Sequence, residues 1–151
     1  MNMNVDHIPI WVADDSLDDC ALLRSAFETA AIRNPLTFVH HGQELLDALR
    51  QKRPSGGRRL LPGLILLDMK MPVMDGKEAL HEIRADPALM TIPVVFLTTS
   101  ELKEDILECY RLGANSVVTK PFDYKESVEL VTMLKKYWLE HVQLPLRFNG
   151  A

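Results

Sequence analysis

The chemically capable residues of this chain stand at the ends of short apolar runs. Asp14 and Asp15 follow IPIWVA, Asp68 closes LILLD, Thr98 and Thr99 follow PVVFL, and Lys120 follows SVVT and precedes Pro121. Each alone has a plain reading. An aspartate after a strand is often an N-cap, a threonine there is structural, and a lone lysine is solvated. Together they ask for more. Three carboxylates a few ångströms apart repel one another, and each unit of displaced pKa costs about 1.4 kcal/mol. Such a cluster is tolerable if it holds a hard divalent cation through oxygen ligands. Mg²⁺ fits, because it takes few protein carboxylates and usually a phosphate as well. A hydroxyl and an ammonium beside the acids would hold a phosphoryl group. They would not hydrolyse a peptide or a sugar.

Whether these residues meet depends on the elements that carry them. Apolar runs at 8–13, 36–40, 64–67, 93–98 and 116–119 are rich in Val, Ile, Leu and aromatics, as buried strands are. Between them lie helical stripes: Leu17, Cys20, Leu23, Phe27 and Ala30; Leu45, Leu46 and Leu49; Ala79, Leu80 and Ile83; Leu102, Ile106, Cys109 and Tyr110. A last and longest stripe runs through Val128, Val131, Leu134, Trp138 and Val142. Fivefold strand–helix alternation predicts an α/β fold, a parallel sheet with right-handed crossovers and helices on both faces. Ser16 is placed to cap the first helix, with Asp19 in capping-box position. Asp75 is placed to cap the third, and Gly113 to end the fourth. Ligands of such sheets bind beyond the carboxyl ends of the strands, and all six residues named above fall on that edge.

Length and composition narrow the field. A chain of 151 residues with 47% apolar and 25% charged residues suits one domain spanning 1–151. Its core is expected over about residues 7–140, with a Pro/Gly/Ser/Arg loop near 52–62 and an extension near 140–151 that leaves the helix close to Leu144. The net charge of −4 gives no electrostatic case for nucleic acid. No apolar run approaches a membrane span, and the N-terminus lacks the plan of a signal peptide, so a cytoplasmic location is expected. Cys20 and Cys109 show no metal spacing and read as small buried hydrophobes in a reducing compartment. No G-x-x-x-x-G-K-[ST], G-x-G-x-x-G or nucleophile elbow is present. The pair His40-His41 reads as the polar end of the second strand.

The set Asp14-Asp15, Asp68 within LLDMKMPVMDG, Thr98 after PVVFL and Lys120-Pro121-Phe122 resembles the receiver domain of two-component response regulators. The landmarks match in order, across roughly residues 7–140. The resemblance implies a doubly wound, flavodoxin-like (βα)5 sheet in the order 2-1-3-4-5. It implies that Asp68 accepts a phosphoryl group from a sensor histidine kinase. Asp15, Asp68 and the backbone carbonyl of Lys70 would ligate Mg²⁺, or Mn²⁺ in its place, with Asp14 acting through metal-bound water. Lys120 would pair with Asp68 at rest and with the phosphoryl afterwards. Thr98 and the backbone N–H groups of Lys70 and Thr99 would bind phosphoryl oxygens, and the Lys120-Pro121 peptide would be cis. The switched surface would be the fourth helix, fifth strand and fifth helix, serving partner binding, dimerisation or phosphorelay. One position departs from the family: where Tyr or Phe is common, three residues before the lysine, this chain has Val117. The 52–62 loop and the ending YWLEHVQLP resemble stand-alone receivers paired with bacterial phytochrome-type kinases.

Two other classes remain open on the residues. An aspartate-nucleophile phosphatase needs a second acid two residues after its nucleophile, and Lys70 stands there. A phosphorylation-independent adaptor has no need of the intact acids, Thr98 and Lys120.

Overall fold

The computed structural model describes residues 5–52 and 61–147; most of the 52–62 loop and the last four residues of the chain lie outside them. Five strands, β1 (Ile10–Ala13), β2 (Leu36–Val39), β3 (Leu64–Asp68), β4 (Val94–Thr98) and β5 (Ser116–Thr119), alternate with helices α1 (Leu17–Thr29), α2 (Gly42–Lys52), α3 (Gly76–Ala85), α4 (Lys103–Arg111) and α5 (Tyr124–Leu134). All pairings are parallel, and the sheet order is β2-β1-β3-β4-β5, as the resemblance implies.

Alternation along the strands sorts the core into two layers. Trp11, Ala13, Ile65, Leu67, Val94 and Phe96 face the side covered by α2, α3 and Cys109 of α4. Ile10, Val12, Leu64, Leu66, Val95 and Leu97 face α1 and α5. Every residue of β1, β3 and β4 is buried, the pattern of central parallel strands covered on both faces. Asp14 directly follows β1, and Asp68 and Thr98 close β3 and β4, so these three residues stand at the ends of fully buried strands.

Three stretches differ from expectation. In α4 only Cys109 is fully buried; Leu102 and Tyr110 face outward, because this short helix rests on the sheet by a narrow contact. Leu17 of the α1 stripe is likewise exposed. The last helix continues past α5 as a π-helical segment, Lys135–His141. Wider i→i+5 bonding lets the residues four and five after Leu134 both turn inward, and both Trp138 and Leu139 are buried. The chain leaves the helix at Val142, yet Leu144 and Leu146 return to the core beside Ile8.

Candidate functional site

The short turn after β1 sets the first two acids. Ser16 caps α1 by accepting the Asp19 N–H at 3.1 Å. The reciprocal half of the expected capping box does not form: the Ser16 N–H goes instead to Asp14 Oδ1 at 2.9 Å. Asp14 is thereby turned inward and buried, while Asp15 remains exposed. The Asp14 carbonyl is held by His40 Nδ1 at 3.1 Å and the Cys20 thiol at 3.5 Å. Burial pushes that thiol up to about 11, so Cys20 stays protonated and serves as packing.

Asp68 is fixed by the turn that follows it. Asp75 caps α3 through the Glu78 N–H at 2.9 Å. Gly76 lies against the backbone of Asp68, where an added Cβ would stand 2.1 Å from the Asp68 carbonyl oxygen and 2.9 Å from the Phe96 ring. No side chain fits there, so the Asp-Gly pair lets α3 begin directly on the backbone of the central acid. Val73 in this turn has φ 67°, an uncommon conformation for a β-branched residue.

Carboxylate oxygens of Asp14, Asp15 and Asp68 lie within 4.8 Å of one another. Burial, with the Asp14 charge adding to it, raises the Asp68 carboxyl from 3.8 to about 6, against the opposing pull of Lys120 and the Lys70 N–H. A close set of hard oxygen donors, one of them disfavouring its own ionisation, suits a divalent cation.

Lys120 reaches into this set from the end of β5. Its ammonium is 2.8 Å from Asp14 Oδ2, 2.8 Å from Asp19 Oδ2 and 3.3 Å from Asp68 Oδ2. Burial acts to lower its pKa, and the bonds to Asp14 and Asp19 outweigh that and raise it. Asp19 was expected only as a capping residue; its side chain is part of the site. The signal available in sequence was a carboxylate one helical turn after the first two acids. The Lys120-Pro121 peptide is trans, not cis, and no cis peptide occurs among the described residues. Trans is the favoured isomer by about 0.5–1 kcal/mol even before proline, and in it Lys120 already reaches all three acids.

Thr98 is buried at the end of β4 and its Oγ1 accepts the Ser100 N–H at 3.0 Å. Ser100 Oγ donates to Asp105 Oδ2 at 2.7 Å, and Asp105 faces Lys77 of α3 at 3.5 Å. Thr99 and Lys70 are exposed beside the acids. Val117 packs against the α2–α3 core layer, and its N–H donates to the Tyr110 hydroxyl at 3.2 Å. No helix among the described residues is long and apolar enough to cross a membrane.

Comparison with known proteins places this geometry. The family model of the response regulator receiver domain matches residues 10–132. Response regulator Rcp1 of Synechocystis sp. is 35% identical over 136 residues, covering 90% of this chain and 92% of that protein. Its Mn²⁺-bound structure has a TM-score of 0.79 and covers 91% of this chain and 99% of that one. The phosphorylated cyanobacterial phytochrome response regulator RcpA is 33% identical with a TM-score of 0.82, over 92% of this chain and 99% of its own. Response regulator RPA3017, in red light signaling of R. palustris, is 31% identical with a TM-score of 0.83, over 91% of this chain and 98% of its own.

Proposed function

This chain belongs to the response regulator receiver domain family, and from that premise we propose that it is switched by phosphorylation of Asp68. The observation that carries the reading is the convergence of Asp14, Asp15 and Asp68 with Lys120 at one strand edge. One Asp68 carboxylate oxygen forms a bond to the phosphorus of a phosphohistidine on a sensor histidine kinase. The P–N bond breaks, and its electron pair goes to the imidazole nitrogen. Mg²⁺, or the Mn²⁺ seen with Rcp1, would when bound offset repulsion between the anionic nucleophile and the anionic donor.

The chain's own residues divide the remaining work. Asp15, Asp68 and the Lys70 carbonyl would hold the ion directly. Asp14 would act through water, since its two oxygens already serve the Ser16 N–H and Lys120. Lys120 follows the transferred charge, and the N–H groups of Lys70 and Thr99 take phosphoryl oxygens. Thr98 leaves Ser100 for the phosphoryl. Because Ser100 is tied to Asp105 and Asp105 to Lys77, that movement reaches α4 without an aromatic ring at position 117. The output surface is α4-β5-α5, where Leu107, Tyr110 and Met133 are exposed, with Tyr137 of the π-helical continuation beyond them, for partner binding, dimerisation or phosphorelay. The likeness to RcpA supports a phytochrome-type kinase as the donor.

Intact-mass spectrometry after Mg²⁺ and acetyl phosphate treatment tests the chemistry. A gain of one phosphoryl is expected, lost in Asp68→Asn. Rapid turnover of phosphomonoesters without a stable adduct would overturn the reading. Transfer from an autophosphorylated phytochrome-type kinase tests the donor.

A further inference from the structure

Asp19 is bound to Lys120 as closely as any acid of the site, and nothing in its capping position requires that. Its backbone N–H is the part that α1 uses, through Ser16 Oγ. The partner that a capping-box acid would take, the Ser16 N–H, is already held by Asp14. The Asp19 carboxylate is therefore left to Lys120, at 2.8 Å.

The three acids around Lys120 are not equivalent. Asp14 and Asp68 belong to the set of oxygens that converge within 4.8 Å, and Asp19 stands outside it. A divalent cation held by Asp15 and Asp68, and through water by Asp14, would draw on the same carboxylates that hold the ammonium, and its charge would repel the ammonium at close range. Among the described acids that reach Lys120, Asp19 alone lies outside the set that would serve the metal, directly or through water. Without it, Lys120 has two choices: stay on Asp14 and Asp68 and compete with the metal, or swing into solvent.

We propose that Asp19 is a positioning residue that holds the Lys120 ammonium at the margin of the metal site, so that the cation and the lysine are accommodated together. The proposal rests on the reading of Asp14, Asp15 and Asp68 as a metal site. Asp19 touches neither the cation nor the phosphoryl; it acts through Lys120.

The test is a Mg²⁺ titration by calorimetry on the full chain, with no phosphodonor present. Asp19→Asn keeps the Ser16 cap, so the fold is retained, which thermal melting verifies. The expected result is Mg²⁺ binding weakened about 3–10-fold, the scale of coupling between directly contacting groups. Asp19→Glu should recover most of the affinity. The deciding measurement is the same substitution in a Lys120→Met background. An anchor acting through Lys120 has nothing to hold there, and the loss should shrink to less than about twofold. An equal loss in both backgrounds would mean that Asp19 contributes only bulk negative charge, and would overturn the proposal. Unchanged affinity in Asp19→Asn would overturn it as well. Absence of Mg²⁺ binding by the unsubstituted chain would instead remove the metal-site reading on which the proposal stands. Normal titrations without phosphoryl transfer to Asp68 would remove only the proposed phosphorylation.

Discussion

Two cations sit among oxygens at opposite ends of the sheet, and they are held in opposite ways. At the amino end, Arg84 of α3 donates from Nε to the Gly113 carbonyl at 3.0 Å and from Nη1 to the Met90 and Ile92 carbonyls at 3.0 and 2.9 Å. Its Nη2 donates to Asn115 Oδ1 at 3.0 Å. Every one of these acceptors is a neutral dipole. At the carboxyl end, Lys120 faces the charged acids Asp14, Asp19 and Asp68. Four of the guanidinium's five N–H groups are taken up and its loops are tied together, so that end is finished structure. The ammonium is outnumbered by negative charge, so that end is stable only by degrees and gains from a further cation. The same device, a half-buried cation with many acceptors, makes a lock when the acceptors are dipoles and a reactive site when they are ions.

The contrast can be broken or sharpened in four ways, starting with the largest effect. Asp68→Asn should abolish the phosphoryl gain seen by intact mass, whereas Arg84→Ala, kept folded in the cold, should still take it up. A phosphorylation defect in the Arg84 variant would show that the two ends are coupled. Next, Arg84→Ala should lower the unfolding free energy by about 1–3 kcal/mol in urea titrations, since loop acceptors from three stretches, only part of them shielded from water, lose their shared donor at once. Arg84→Lys should restore less than half of that, because an ammonium cannot span the fork of acceptors.

The third concerns pH. With the Asp68 carboxyl raised from 3.8 to about 6, the folded chain keeps a proton that the unfolded chain has released between those values. Stability contributed by this group is therefore fully present below about pH 4, falls as pH rises to about 6, and stays low above it. In EDTA, Asp68→Asn should become more stable than the unsubstituted chain by about 1–3 kcal/mol at pH 7. The gap should narrow toward pH 4, and Mg²⁺ should close it at pH 7. A gap independent of pH would mean that Asp68 carries no such penalty. The smallest effect is expected at Gly113, whose φ of 106° and tight approach to Arg84 disfavour a side chain. Gly113→Ala should cost about 1–2 kcal/mol in the same urea experiment and leave Mg²⁺ binding untouched.

The elements were legible because each strand is a short apolar run and each helix a periodic one, and strand ends in a parallel sheet share one edge. Asp14, Asp15, Asp68, Thr98 and Lys120 could be brought together on that ground alone. Asp19 could not, because its position satisfied a local capping rule and a residue with one adequate explanation invites no second. Arg84 was invisible for a different reason. Its partners are mostly main-chain carbonyls of loops 6 to 29 residues away, and no side-chain pattern records where a carbonyl will point. Leu144 and Leu146 were read as a departing tail because so short a segment has no period; their burial depends on the groove beside Ile8 and Gly63. The trans peptide before Pro121 could not be read from residue types at all.

β5 is the outermost strand on its side of the sheet, and an outermost strand offers unpaired main-chain groups to any extended segment that comes by. The Tyr110 hydroxyl occupies one of those groups, the Val117 N–H, at 3.2 Å. A partner seeking to add a strand at this margin must first displace the tyrosine. That margin is thereby less open to an added strand than to a helix or a loop.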